Sequence, residues 1–194
     1  MKEQNMRVSR YPIHTMFLER WSPRALSGEP ITQEQLMTLF EAAHWAPSSY
    51  NNQPWRFIYA HRDSQYWKTF LNLLVPGNQE WAKNAAVLVV FISKKIFDNN
   101  NKPARTHSFD AGSAWMSLAL QASLMNLFAH GMEGFDYDQA RTTLNIPDDY
   151  EIEAMCAIGK LGDKKNLPEK FVAQEGPNDR KPTETLIFEG IFKS

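Results

Sequence analysis

The stretch "ERWSPRAL" places Arg20, Ser22 and Arg24 at alternate positions. Two guanidiniums around a hydroxyl supply the fork of charged donors that a phosphate dianion accepts. The plainer reading is a pair of surface arginines beside a turn serine. A second concentration is "WAPSSYNNQPWRF" at 45–57, with two prolines, two tryptophans, two serines and two adjacent asparagines. So much polar and aromatic surface in one loop suits a segment that presents groups to a ligand. It equally suits a packed turn capping the strand-like "RFIYA". Other chemistries find less support. His14, His44, His61, His107 and His130 show no ligand spacing with one another or with Cys156, which argues against a zinc site. Cys156 lies in an apolar pattern and reads as a buried, inert thiol. No G-x-G-x-x-G and no Walker-type loop occurs.

These groups belong to a chain of 194 residues, enough for one domain with its own core. It is 43% hydrophobic and 22% charged, with 21 basic against 22 acidic residues and a net charge of −1. That balance gives no reason to expect a nucleic-acid partner. The start, "MKEQNMRVSRYP", lacks the apolar run of a signal peptide, and "AAVLVVFI" at 85–92 is too short to span a bilayer. A cytoplasmic protein without a membrane partner is the expectation. Six Trp, six Tyr and twelve Phe exceed what a small core needs, and point to a partner surface or a site for a flat ligand.

The elements that must position these groups are legible in outline. A short helix is expected over 12–20. A second, at 33–46, opens on a capping box of Thr32 and Gln35 and buries Leu36, Leu39, Phe40 and Ala43. Residues 56–62 read as a strand, 64–74 as a helix stopped by Pro76-Gly77, and 85–95 as a strand buried on both faces. Residues 98–106 form a loop, and 108–127 the longest helix, apolar almost all round. Along it Asp110, Ser113, Ser117 and Gln121 form a polar seam. The seam is either solvated or paired with another helix, or it lies beside a polar ligand or a dimer axis. A Gly-bracketed turn and a helix follow, then a strand at 150–162 and a polar extension. Helices and strands interleave, which gives an α+β fold, an α/β sandwich.

Taken in order, four separated segments make the chain resemble the nitroreductase family along nearly its whole length. "ERWSPRAL" is similar to the family's Arg-x-Ser-x-(Lys/Arg), and "PSSYNNQPW" to its Pro-Ser-x-x-Asn-x-Gln-Pro-Trp. Asn78 in "GNQEWAKNAAVLVVF" matches an Asn just before a strand, and "GMEGFD" matches a Pro-x-Glu-Gly-Phe turn. The resemblance implies a central mixed, mainly antiparallel sheet flanked by helices, in an obligate dimer. Residues 1–162 would form the FMN-binding domain. Residues 163–194 would form an extension of the same domain that wraps the partner subunit.

The resemblance also implies FMN as cofactor, held by Arg20, Trp21, Ser22, Arg24, Pro47, Ser48, Ser49, Asn51, Asn78, Met132, Glu133, Gly134, Arg180 and Lys181. Arg20, Ser22, Arg180 and Lys181 would face the phosphate. Arg24 and Asn78 would face the pyrimidine edge of the ring, and the backbone of 132–134 its N5. Residues 47–51 would reach in from the second subunit. Three positions depart from the family: Trp81 where some members carry Lys, Met116 where Gln is common, and Gly131 where many have Pro. The implied activity is oxidation of NAD(P)H with reduction of nitroaromatics, quinones or related electrophiles by a ping-pong mechanism. No side chain need act as acid or base, so no catalytic residue is assigned. An enone, a halogenated aromatic or flavin as acceptor, and a non-catalytic FMN-binding module, are the alternatives. The short connector "IFDNNNKPART" implies an open pocket, with Trp81 and Phe97 as candidate lining residues.

Overall fold

The computed structural model describes residues 7–193. The first six residues, part of the polar start read above, lie outside this range. The elements in chain order are α1 (Met16–Glu19), α2 (Gln33–His44), β1 (Trp55–His61), α3 (Trp67–Leu73), α4 (Pro76–Ala82), β2 (Val87–Lys94), α5 (His107–Leu124), β3 (Phe128–Met132), α6 (Tyr137–Thr143), β4 (Tyr150–Gly159) and α7 (Glu169–Val172).

The four strands form one sheet in the order β1-β2-β4-β3, and every pairing is antiparallel. β2 is central, and all of it except Lys94 is buried. Its side chains alternate between two apolar layers. Leu88, Val90 and Ile92 pack with Phe70, Leu73, Trp81 and Ala140 from α3, α4 and α6. Val87, Val89 and Phe91 pack with Leu36, Leu39, Ala114 and Leu118 from α2 and α5. Helices therefore cover both faces, the expected α+β sandwich. Cys156, on β4 between β2 and β3, has no exposed surface, and burial pushes its thiol pKa up.

α2 starts where its sequence says it should. The Thr32 hydroxyl accepts from the Gln35 amide at 3.1 Å, and the Gln35 side chain accepts from the Thr32 amide at 2.9 Å. Phe40, half-buried, stacks on Phe57 with ring centres 5.2 Å apart.

Two elements differ from the sequence expectation. Pro76 opens α4 instead of only ending α3, because proline at a first helical position lacks only an amide that would have no partner anyway. Asn78 therefore sits on a helix. β3 occupies 128–130, to which the sequence reading gave no element, and the start of the expected turn, while the helix expected over 108–127 ends at Leu124. Asn126, with φ of 54°, is left-handed just after α5 and stops it short.

Candidate functional site

α1 and the residues after it supply the first group. Arg20 follows the helix directly, and its Nη1 donates to the Ser22 hydroxyl at 3.1 Å. Arg180 reaches the same place from the C-terminal segment. Arg20, Ser22 and Arg180 line one cavity of about 500 Å³ together with Phe17, Trp115, Met116, Ala119 and Gly131. That volume falls within the roughly 300–1,000 Å³ usual for small-molecule sites. The pKa of Arg20 is lowered by burial first, and then by the nearby charges of Arg7 and Arg180. Guanidiniums gathered in this way are stabilised by an anion placed among them.

The rest of this segment is held from behind. Glu175, 8% exposed, accepts from the amides of Arg24 at 3.0 Å and Ala25 at 2.8 Å. The Arg24 guanidinium lies over the Phe171 ring, 5.4 Å from its centre, and does not line the cavity. Trp21 meets Phe128 edge-on at 5.9 Å. His130 Nδ1 donates to the Pro23 carbonyl at 2.9 Å, which fixes the proton of the neutral ring on that nitrogen. Burial lowers the His130 pKa to about 4; its bond to Pro23 opposes the shift, and the charges of Arg24 and Arg20 add to it.

The turn after β3 forms a second group. The Asn78 amide on α4 donates to the Gly134 carbonyl at 3.0 Å. A Cβ at Gly134 would lie 2.8 Å from that amide nitrogen, so any larger residue would push the Asn78 side chain out of this place. Met132 is buried and Glu133 exposed. Gly131 sits directly over Trp115, whose ring would lie 3.2 Å from an added Cβ. Trp81 is buried against His130, with ring centres 4.6 Å apart, and lines neither this cavity nor the smaller one described below. Its apolar ring belongs to the core, contrary to the sequence expectation. Its indole N–H has no acceptor among the described residues.

The 45–57 loop forms a third group, at the N-terminal end of α5. Tyr50, Asn51 and Gln53 all have left-handed backbone, with φ of 51°, 54° and 48°. Such a run in non-glycine residues persists only where surroundings impose it. Asp110, 5% exposed, accepts from the Ser49 amide at 3.1 Å, and the Ser48 hydroxyl accepts from the Gln53 amide at 3.0 Å. Asn52 Oδ1 accepts from the Asp98 amide, and Tyr50 meets Phe97 edge-on. Pro47 and Asn51 are exposed, and no residue of this loop lines the Arg20 cavity. Within one chain, then, three groups of sequence-predicted residues stand apart: Arg20, Ser22 and Arg180; Asn78 with Gly134; and Pro47 to Asn51. Lys181 is exposed beyond the first of them.

Three residues of the polar seam of α5 have partners within the chain. Asp110 holds the loop, and the Ser113 and Ser117 hydroxyls donate to the carbonyls of Phe109 and Ser113. A smaller cavity of about 150 Å³ shares Trp115 and Gly131 with the first and adds Glu153 and Ser108. Glu153 is the extra residue where the β2–β4 register slips, so the bulge turns it toward Ser93, Ser108 and His107. Sequence reasoning missed Arg7, Phe17, Trp115 and the anchoring role of Asp110. A signal existed only for Phe17, which stands three residues before Arg20.

The family model of the nitroreductase family matches residues 18–74 and 62–160. A solved structure described as an oxidoreductase containing FMN is 50% identical, with a TM-score of 0.94, and the match covers 100% of this chain and 99% of that one. A Thermus thermophilus NADH dehydrogenase is 27% identical over 204 residues, covering 89% of this chain and 93% of its own. A nitroreductase family protein from Streptococcus pneumoniae shares the fold, with a TM-score of 0.72 at 19% identity, over 90% of this chain and 98% of its own. By sequence and by fold, the chain belongs to the nitroreductase family.

Proposed function

We propose that this protein is an FMN-dependent oxidoreductase that takes electrons from NAD(P)H and passes them to nitroaromatics, quinones or related electrophiles. The observation that carries the reading is the convergence of Arg20, Ser22 and Arg180 on one cavity that also exposes Gly131 over Trp115. The donor set fits FMN. Its phosphate requires charged and hydroxyl donors, and its flat ring requires a backbone without side-chain bulk. A similar protein described as an oxidoreductase containing FMN, and another named NADH dehydrogenase, support the same assignment.

In this reading Arg20, Ser22 and Arg180 hold the phosphate, with Lys181 at its margin and Trp21 and Arg24 shaping the segment that carries them. The backbone of Met132, Glu133 and Gly134 approaches the ring, and Asn78 holds that turn in place. Pro47, Ser48, Ser49 and Asn51 reach the site of a second copy, so the working unit is a homodimer. FMN, when bound, supplies the acceptance of hydride from NAD(P)H and its onward delivery. The chain's own residues bind, orient and shield, and none is assigned as acid or base. NAD(P)H and the acceptor use one pocket in turn, which implies ping-pong kinetics. The connector between β2 and α5 carries only the isolated Ile96–Pro103 bridge, so acceptors of varied size are expected. Residues 1–162 with the 163–194 arm act as one domain in the cytoplasm.

The protein is expected to purify yellow, to bleach anaerobically on addition of NADH or NADPH, and to recover colour with a nitroaromatic or quinone. Parallel double-reciprocal plots would support the ping-pong order. A colourless protein that takes up no FMN from excess would end this reading. FMN uptake without bleaching would reduce it to a binding module.

A further inference from the structure

Arg7 lies outside every segment of family resemblance, yet four hydrogen bonds lead from its guanidinium to the anion end of the cavity. Nη1 donates to the carbonyls of Leu18 at 3.1 Å and Arg20 at 2.8 Å. Nε donates to the Asn178 carbonyl at 2.8 Å, and Nη2 to the Asn178 side-chain oxygen at 3.1 Å. The same two oxygens of Asn178 accept from Arg180 Nη1, at 3.3 and 3.0 Å. One planar fork thus grips the backbone that carries Arg20 and the residue that steadies Arg180. A second link joins the same two segments: Arg10 pairs with Glu184 beyond Arg180. That pair is exposed and contributes little alone, but the two links bracket Arg180.

We infer that Arg7 is a positioning residue that assembles the phosphate end of the site, fixing Arg20 directly and Arg180 through Asn178. The inference rests on the FMN reading for the identity of the anion. Its physical basis is pre-organisation. Arg180 is exposed and its backbone lies in an arm with little regular structure. Without the Asn178 link its guanidinium keeps, among the described residues, only its bond to the adjacent Asp179 carbonyl and has a larger ordering cost on binding. The planar fork is essential, because a lysine ammonium cannot reach the Leu18 and Arg20 carbonyls and both Asn178 oxygens in fixed directions.

The test compares FMN with riboflavin, which has the same ring and lacks the phosphate. Dissociation constants are measured by flavin fluorescence on the full chain stripped of cofactor. Wild type is expected to prefer FMN. Arg7→Ala should weaken FMN about tenfold, the scale of one lost charged hydrogen bond, and leave riboflavin unchanged. Arg7→Lys should not restore the preference. Asn178→Ala removes only the side-chain oxygen that Arg7 and Arg180 share, so it should weaken FMN selectively but by less than Arg7→Ala, and the double variant should be no weaker than Arg7→Ala alone. Undiminished FMN preference in Arg7→Ala overturns the inference, as does an equal loss of FMN and riboflavin, which marks general loosening. Should Arg7→Ala fail to fold, Arg7→Lys decides: a loss of FMN affinity with riboflavin unchanged supports the inference, and an undiminished FMN preference overturns it. A wild type that binds neither flavin, or both equally, removes the phosphate reading itself and is seen before any variant is made.

Discussion

Arg20 and His130 show how differently two residues of one site reveal themselves. Arg20 and Ser22 were candidates by type, but a surface arginine beside a turn serine reads the same way, and only the family resemblance gave the pair an anion to hold. Arg7 was not, since its role depends on Asn178, 171 positions away. His130 was dismissed as lacking metal-ligand spacing, yet it ties the Arg20–Arg24 segment to β3 through the Pro23 carbonyl. Its titration gives a prediction. The pKa is about 4 in the folded chain against 6.5 ordinarily. Between those values the unfolded chain takes up a proton that the folded chain refuses, so stability falls as pH drops from about 6.5 toward 4. The loss approaches roughly 3 kcal/mol, at 1.36 kcal/mol per pKa unit. Arg20 and Arg24 face the ring and oppose its charging. Urea unfolding at pH 7 and pH 4.5 should show the drop, and His130→Asn should flatten the contribution. An identical slope in the variant would reassign the pH dependence to carboxylates.

At the scale of elements, α2, β2 and the bulk of α5 follow from periodicity and capping alone. α4 and β3 do not. Pro76-Gly77 carries the same residues whether it stops one helix or starts the next, and what decides is the packing of Trp81 and Ala82 into the core. "FAHGM" is too short, and too interrupted by His and Gly, to show a strand period; it becomes β3 because β4 offers it a ladder. The 45–57 loop was legible as unusual, but its left-handed run was not, because the restraint comes from α5. Asp110→Ala leaves the half-buried Ser49 amide without its acceptor and should cost about 1–3 kcal/mol. Asp110→Asn keeps an accepting oxygen and should cost less. Thermal unfolding measures both, and equal stability of all three proteins would show that the loop holds its shape unaided.

For the molecule as a whole, one chain leaves an unusual amount of apolar surface in the open. Trp45 and Phe109 are each 77% exposed, and Ile191 and Phe192 are 72% and 79% exposed. Large exposed apolar side chains are candidates for an association surface. These side chains suit the proposed homodimer, for which sedimentation should give twice the chain mass, and Phe109→Asp should shift it toward a single chain with loss of bound FMN. A monomeric wild type that retains FMN would refute the shared site. One further property of the architecture helps in such work. The only cysteine is sealed between β2 and β3 with no exposed surface and a raised pKa, so maleimides and other alkylating labels should leave the native fold untouched. A cysteine introduced on the arm would then be the sole reactive handle, and dyes or crosslinkers placed there would report the arrangement of subunits on an otherwise silent background.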